Sequence, residues 1–347
     1  MIVNNKNLLN TLEKVKPFIK KENMVTDHSI VDLNIKGNDI EILFTSDSSY
    51  GKVLCVDCIK EGQGSFSLDF FDLYKSVKAI VDDFKLTINN NTAIFKTNEK
   101  RIKLPVYQKE IKPDLEYGEG FLHSNMFIES WEESLNFVTN PDDIRVSLTG
   151  VNMKLLNDNI VVSASDAHTL YYSYKKIDIN TLFDVIIPAD VVKNILLVSK
   201  SFTIDFVDNH IYFYGTNFVI ASPLIKEKYP KVENVIPKEN SYKCDIDLQK
   251  FINATDYLSK MTKHKISVFD FKDKSIYIEE TDLNKKVEHK IDLSCDYEGR
   301  VGFNIDYILR LKKVSRLENK FYFSTETRPF VFKGENKLVI LMPVSIN

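Results

Sequence analysis

Three stretches of this 347-residue chain follow one pattern: SIVDLNIKGNDIEILFTSD, VSLTGVNMKLLNDNIVVSASD and HKISVFDFKDKSIYIEETD. Each alternates apolar and polar residues, passes through a polar Asn/Asp/Lys turn and alternates again, which is the pattern of a β-hairpin. Their closing pairs, Ser46-Asp47, Ser165-Asp166 and Thr281-Asp282, stand 119 and 116 residues apart, the spacing of a unit repeated by duplication. A second landmark recurs with the same period. LDFFDLYKSV, IPADVVKNIL and FNIDYILRLKK each pass from a short strand through Asp69, Pro188 or Asn304 into a helix. Asp and Asn suit an N-cap, and Pro suits a first helical turn.

Each repeat also opens with an amphipathic helix, marked by Leu8, Leu12 and Val15, by Phe127, Trp131 and Val138, and by Leu248, Phe251, Ile252 and Met261. Pro17 ends the first of these. Further alternating runs follow each second helix: FKLTINNNTAIFKTNEKRIKL, FTIDFVDNHIYFYGTNFVIAS and FYFSTETRPFVFKGENKLVILM. The expected fold is α+β, three repeats of two helices packed on antiparallel sheet, over residues 1–118, 119–240 and 241–347. The polar, proline-bearing stretches KEIKPDLEYGEG and YPKVENVIPKENS mark the junctions. Three similar units can stand as beads on a string, but units with open strand edges more often assemble edge to edge, because pairing covers the exposed ladder groups.

Composition narrows the functional classes. With 44% hydrophobic and 27% charged residues the chain can build several cores. No run approaches the roughly 18–20 apolar residues of a membrane span, and MIVNNKNLLN lacks a secretory pattern, so a cytoplasmic protein is expected. A net charge of −3 argues against holding nucleic acid by bulk basicity, whereas a ring that encloses DNA needs only a weakly basic lining. Four cysteines are too few for a disulfide scaffold. Cys55 and Cys58 form a CxxC, but VLCVDCIK alternates like a strand, which sends positions three apart to opposite faces and favours reduced thiols over a metal or redox site.

The residues Asp143-Ile144-Arg145-Val146-Ser147-Leu148-Thr149-Gly150-Val151, followed by Ser165-Asp166-Ala167-His168-Thr169-Leu170, resemble the bacterial DNA polymerase III sliding clamp, the β-subunit processivity factor family with its phage- and plasmid-borne members. Tyr229-Pro230, Val235-Ile236-Pro237, Gly302-Phe303-Asn304, Tyr307-Ile308-Leu309 and the ending Leu341-Met342-Pro343-Val344 extend the resemblance in order along the chain. The first repeat carries less of it, chiefly Phe70-Phe71-Asp72-Leu73. The resemblance implies three DNA-clamp domains per protomer and a head-to-tail homodimer closing into a ring around double-stranded DNA, without sequence preference. It implies a replicative polymerase and an ATP-driven clamp loader as partners, no cofactor, and no membrane association.

By the same matching, partner peptides bind an apolar pocket formed by the second and third domains and the tail. The corresponding residues are Leu148, Ser165, Ala167, His168, Thr169, Leu170, Pro230, Asn234, Val235, Pro329, Ile340, Met342, Pro343, Val344 and Ile346. Where the family has Gly-His-Arg-Leu this chain reads Ala167-His168-Thr169-Leu170, so a basic pocket residue is missing, and Asn234 stands where another is common. The dimer contact falls on Ile102 and Leu104 of one protomer and Tyr257 and Leu258 of the other. Lys20, Lys21, Lys75, Lys78, Lys200, Arg310 and Lys313 are expected to face DNA, Arg310 and Lys313 lying away from the apolar stripe Tyr307, Ile308, Leu311 and Val314. Glu129, Glu132 and Glu133 oppose them if they face the channel.

Two rival readings are set against this one. Asp166, His168, Ser163 and Ser165 lie close in sequence, but a triad is built across a fold rather than along a strand and turn. There is no HExxH, and Gly51-Lys52 lacks the flanking residues of a phosphate loop, so no catalytic residue and no enzymatic activity are expected. The alternative within the family is a diverged clamp paralogue that binds proteins without encircling DNA.

Overall fold

A computed structural model describes residues 1–20, 26–89, 91–108, 115–261, 263–280 and 285–346. Lys21 and the Thr281-Asp282 pair therefore lie outside the described residues. The described residues form six α-helices, α1 (Asn5–Val15), α2 (Phe70–Ala79), α3 (Ile128–Ser134), α4 (Ala189–Val198), α5 (Leu248–Met261) and α6 (Ile305–Arg310), and four antiparallel sheets. The fold is mixed α and β with segregated helices and antiparallel strands. The chain packs as two compact units, residues 1–128 with 190–224, and residues 129–189 with 225–347.

In the first unit, α1 packs on α2. Asn4 caps α1 by accepting from Asn7 N at 2.9 Å, and Asp69 caps α2 by accepting from Asp72 N at 2.9 Å. Leu8, Leu12 and Val15 are buried, so the amphipathic reading of α1 holds, and Leu73 and Val77 of α2 are buried too. The helix stops at Val15, and Pro17 lies in the following 3-10 turn. Strand Ile30–Gly37 pairs with Asp39–Thr45 as the first hairpin, within an eight-stranded sheet that also takes in Thr203–Val207, His210–Gly215 and Phe218–Pro223. A four-stranded sheet ends at strand Arg101–Pro105, which has no neighbour on its outer side among the described residues. α4 follows strand Asp184–Pro188 directly, so Pro188 closes the strand instead of entering the helix.

In the second unit, the middle hairpin, Gly150–Leu156 with Asn159–Ser165, turns through Asn157 and Asp158 at φ of 49° and 58°. These are the left-handed values that a two-residue hairpin needs and that Asn and Asp tolerate. The third hairpin joins Ile266–Asp270 to Ser275–Glu280. The nine-stranded sheet sets Thr169–Lys176 beside Lys337–Leu341, with Leu170 opposite Ile340 and Thr169 opposite Leu341. Residues about half the chain apart thus become cross-strand neighbours, which places the end of the chain beside the Ser165–Leu170 turn. α5 and α6 pack together over a core that includes Phe251, Leu258, Phe269, Phe303, Ile308 and Leu311.

Several sequence expectations need correction. Val138 lies beyond α3 and is half-buried, while Phe137 takes the core position. Met261, at the end of α5, is exposed. Cys55 ends its strand, and the turn Val56-Asp57, with Asp57 at φ 48°, returns the chain so that both thiols are buried and interact with each other. Alternation fails at Cys58 because the strand has already ended. Cys244 and Cys295 are disulfide-bonded, a pairing that the cysteine count did not foresee.

Candidate functional site

The expected pocket residues that are apolar and buried come together in the second unit. Leu148, on the 3-10 turn Val146–Thr149, Leu170 and Ile340 form one cluster with Ile186, Tyr229, Val232 and Val331. The last four were not picked out as pocket residues. Val331 had a usable signal, since it alternates with the core residues Phe330 and Phe332 along its strand and so must face the other side of the sheet. Burial pushes the Tyr229 phenol well above its ordinary value.

Around this floor stands an exposed apolar rim. Val235 is 54% exposed and Ile346 37%, while Met342, Pro343 and Val344 are half-buried. Pro230 and Asn234 lie exposed on the segment that carries Val232 and Val235, and Pro329, half-buried, leads into strand Phe330–Gly334. Two backbone bonds hold the tail: Met342 N donates to His168 O, and Val344 N to Gly302 O, both at 2.9 Å. Gly302 permits the second, because a Cβ there would lie 2.6 Å from Val344 O and from Ile346 Cγ2.

The turn beneath the tail is organised by Asp166. Its Oδ1 accepts from His168 N (3.0 Å), Thr169 N (2.7 Å) and Thr169 Oγ1 (2.9 Å). Ser165 Oγ donates to Thr169 O at 2.7 Å and accepts from Ala167 N at 3.0 Å. Ala167 is held at φ 74°, and the His168 ring stacks on Tyr307 with centroids 5.7 Å apart. Ser163 Oγ donates to Asn152 Oδ1. Ser165, Asp166 and His168 are thus engaged in the turn and Ser163 in a cross-strand bond, and the hydroxyls of both serines are directed to partners other than His168. Beside the pocket, the side-chain bond from Arg145 holds the Asp143 carboxyl below the usual carboxylate range.

The residues expected to meet DNA divide. Lys20, Lys75, Lys78, Lys200 and Lys313 are exposed. Lys20 Nζ lies 3.7 Å from Asp47, Lys75 Nζ 4.0 Å from Asp72, and Lys78 Nζ 5.7 Å from the Tyr74 ring centroid. Such loose exposed pairs leave these cations available to an anion. Arg310 departs from the expectation. Its guanidinium turns into the protein to meet Asp166 Oδ2 at 2.7 Å, because a buried carboxylate is a better partner than water for a planar donor fork. The acidic face of α3 is corrected too. Glu133 is buried and accepts from Tyr171 Oη, Ser315 N and Lys337 Nζ, while Glu129 accepts from Ser315 Oγ and Lys337 Nζ. Glu132 is exposed.

Of the expected dimer residues, Ile102 and Leu104 share one face of the edge strand, half-buried and buried respectively. Tyr257 is 47% exposed, its ring 6.3 Å from that of His289 on the edge strand Lys285–Lys290. Leu258 is corrected: it is fully buried in the protomer's own core and presents no surface.

Residues 122–231 match the family model described as DNA polymerase III beta subunit, central domain. That stretch takes in α3, α4 and the middle hairpin. The beta sliding clamps of Bacillus subtilis (strain 168) and Staphylococcus aureus (strain Mu50 / ATCC 700699) are each 24% identical to this chain, over 219 and 225 residues. Those alignments cover 59% and 60% of this chain, which spans 58% and 59% of the length of these two relatives. The fold matches the crystal structures of the DNA polymerase III subunit beta from Pseudomonas aeruginosa (TM-score 0.88, 17% identity, 100% of both chains) and the DNA polymerase sliding clamp from Bacillus subtilis (TM-score 0.88, 16% identity, 100% of this chain and 99% of that one). No helix among the described residues is long and apolar enough to cross a membrane. The chain thus combines a buried apolar cluster beside the segment Met342–Ile346 with a set of lysines exposed on and around its helices.

Proposed function

We propose that this protein is a DNA sliding clamp, a non-enzymatic ring that encloses duplex DNA and tethers a replicative polymerase. In this reading residues 1–118, 119–240 and 241–347 are three clamp domains, and two protomers close the ring after an ATP-driven loader opens it in the cytoplasm. The observation that carries the proposal is the buried apolar cluster of Leu148, Leu170 and Ile340, with Val235 and Ile346 exposed and Met342 and Val344 half-buried on the adjoining segments. Apolar side chains left partly in solvent beside such a cluster suit short partner peptides that bury them on docking. Lys75, Lys78, Lys200 and Lys313, all exposed, suit phosphate contacts too loose to stop sliding.

The proposed protomer contact pairs the open edge Arg101–Pro105 of one copy with the open edge Lys285–Lys290 of another, with Ile102 and Tyr257 beside the seam. The deciding experiment loads the protein with a cognate loader onto nicked circular DNA and then linearises the DNA. A clamp stays on the circle and runs off the linear form. Equal retention on both, or on neither, points instead to the paralogue that binds proteins without encircling DNA.

A further inference from the structure

The turn that follows strand Tyr50–Cys55 brings Cys55 and Cys58 together against the first turns of α1. We infer that these two residues are a covalent modification site, a dithiol that a hydroperoxide converts to an intrachain disulfide, with Cys55 as the nucleophile and Cys58 as the resolving thiol. This chemistry is independent of the function proposed above.

A CxxC on an extended strand sends its sulfurs to opposite faces. Here the strand stops at Cys55, and Asp57 stands at φ 48°, a left-handed value that costs an L-residue about 1–2 kcal/mol. Bonds from outside the turn hold that conformation. Asp57 N donates to Asp39 Oδ1 at 2.9 Å, Asn7 Nδ2 donates to Asp57 O at 3.2 Å, and Cys58 N and Ile59 N both donate to Asn38 O. The two thiols are thereby set in direct interaction, the arrangement that an S–S bond between them requires. Their surroundings are polar although both residues are buried: Cys58 Sγ has Asn4 O at 4.0 Å, and the Thr11 hydroxyl interacts with Cys55. A cysteine that only fills space in a core needs no such partners. The pair is also asymmetric. The Cys58 thiol, and more weakly Thr11, hold the Cys55 thiol below its ordinary value in spite of burial, while Cys55, burial and the carboxylates of Asp39 and Asp83 push Cys58 up. One sulfur is thus prepared to be a thiolate and the other to keep its proton, the division that attack followed by resolution uses.

Burial selects the oxidant. Cys55 keeps 1% and Cys58 0% of its surface exposed, whereas Val56 and Asp57 between them are exposed. Local opening of that turn admits a small hydroperoxide more readily than the bulky active site of a thiol oxidoreductase. The Cys55 thiolate attacks the hydroperoxide, an S–O bond forms as the O–O bond breaks, and the departing alkoxide leaves as alcohol with the proton that Cys55 gave up. The Cys58 sulfur then attacks the Cys55 sulfur, the S–S bond forms as the S–O bond breaks, and hydroxide leaves as water with the Cys58 proton. Two thiols are oxidised by two electrons, and the hydroperoxide is reduced to alcohol and water. Closure withdraws the Cys58 S–H from Asn4 O, and Asn4 is the residue that caps α1.

Trypsin cleaves after Lys52 and Lys60, so both cysteines fall in one peptide, VLCVDCIK. The folded full-length protein is treated with hydrogen peroxide, blocked with N-ethylmaleimide, digested and mapped by mass spectrometry. The expected peptide is unalkylated and about 2 Da lighter than the dithiol, and dithiothreitol before blocking restores both alkylation sites. At the same peroxide exposure, dimedone should label Cys55 in Cys58→Ser and leave Cys58 unlabelled in Cys55→Ser. A peptide that stays doubly alkylated, that closes only in protein unfolded by urea, or that is oxidised beyond recovery by dithiothreitol overturns the dithiol site. Equal labelling of the two single variants overturns the assignment of Cys55 as nucleophile. Should a serine variant fail to show a cooperative thermal melt, the alanine variant is read in its place by the same criteria, and the wild-type map decides the disulfide without either.

Discussion

Lys337 Nζ lies 2.8 Å from Glu133 Oε2, and both side chains are more than nine-tenths buried. The pair ties α3 to the strand that leads into the C-terminal tail, across 204 residues of sequence. Removing one partner of a buried pair strands the other charge in a poorly solvating interior. Lys337→Met is therefore expected to lower unfolding free energy in urea by about 3 kcal/mol. The double change Lys337→Met/Glu133→Gln should recover part of that loss, and a double variant less stable than the single one would refute the electrostatic account.

Glu129 at the edge of the same network has its carboxyl lowered below the ordinary 4.5, first by the bond from Ser315 and then by Lys337. A carboxylate whose folded pKa is depressed contributes stability that is present above its unfolded pKa and is lost as pH falls through the folded one. Wild-type melting temperature should thus fall between neutral pH and pH values below 4.5, and Glu129→Gln should show a shallower fall over that window. Identical slopes for the two proteins would remove Glu129 from the pH response. The effect is small because the Glu129 side chain is 47% exposed and solvent screens it.

Ala167 holds φ 74° at an exposed position of the pocket turn. An L-residue there costs about 1–2 kcal/mol, whereas glycine adopts the conformation without that penalty and gives back about 1 kcal/mol in backbone entropy. Ala167→Gly is expected to raise stability by about 0.5 kcal/mol, measured by chemical denaturation. A decrease would mean that the Ala167 methyl makes contacts outweighing the relief of strain.

Gly302 has the opposite sensitivity. Its Cβ would meet the backbone oxygen of Val344 at 2.6 Å, so Gly302→Ala must push the tail away or break the Val344 N to Gly302 O bond. Faster hydrogen exchange at Val344, together with weaker peptide binding and a nearly unchanged melt, is the expected result. Wild-type exchange in the variant would show that the tail accommodates the methyl group.

Ile102→Asp, placed on the open edge strand, should yield monomers by native mass measurement if the ring closes through that edge. In such a seam the edge strand carrying Arg101 and Lys103 would face the one carrying Lys286 and Lys290, both of which pair with Glu288. Like charges across a seam are screened by salt, so the wild-type dimer is expected to tighten as ionic strength rises. Dissociation with added salt would argue for a different seam.

The local architecture was legible in the residues. The three hairpins, the Asp69 and Asn304 caps and the helices α1, α2 and α5 follow from side-chain period and turn chemistry, which act over a few residues and leave their mark in the sequence. The burial of Leu170 and Ile340 was legible for the same reason, since they sit opposite each other at inward positions of alternating strands. What only the tertiary structure decided is where the polar groups on those elements go. Arg310 and Asp166 are 144 residues apart, and the Glu129 and Glu133 that seemed set against DNA are answered by Lys337 from more than 200 residues away. Periodicity assigns a side chain to a face; the fold supplies the partner that face meets. A charge on the solvent side of a helix and a charge buried against a distant counter-ion have the same sequence pattern, and they differ because desolvation and pairing are settled only when the strands are brought together.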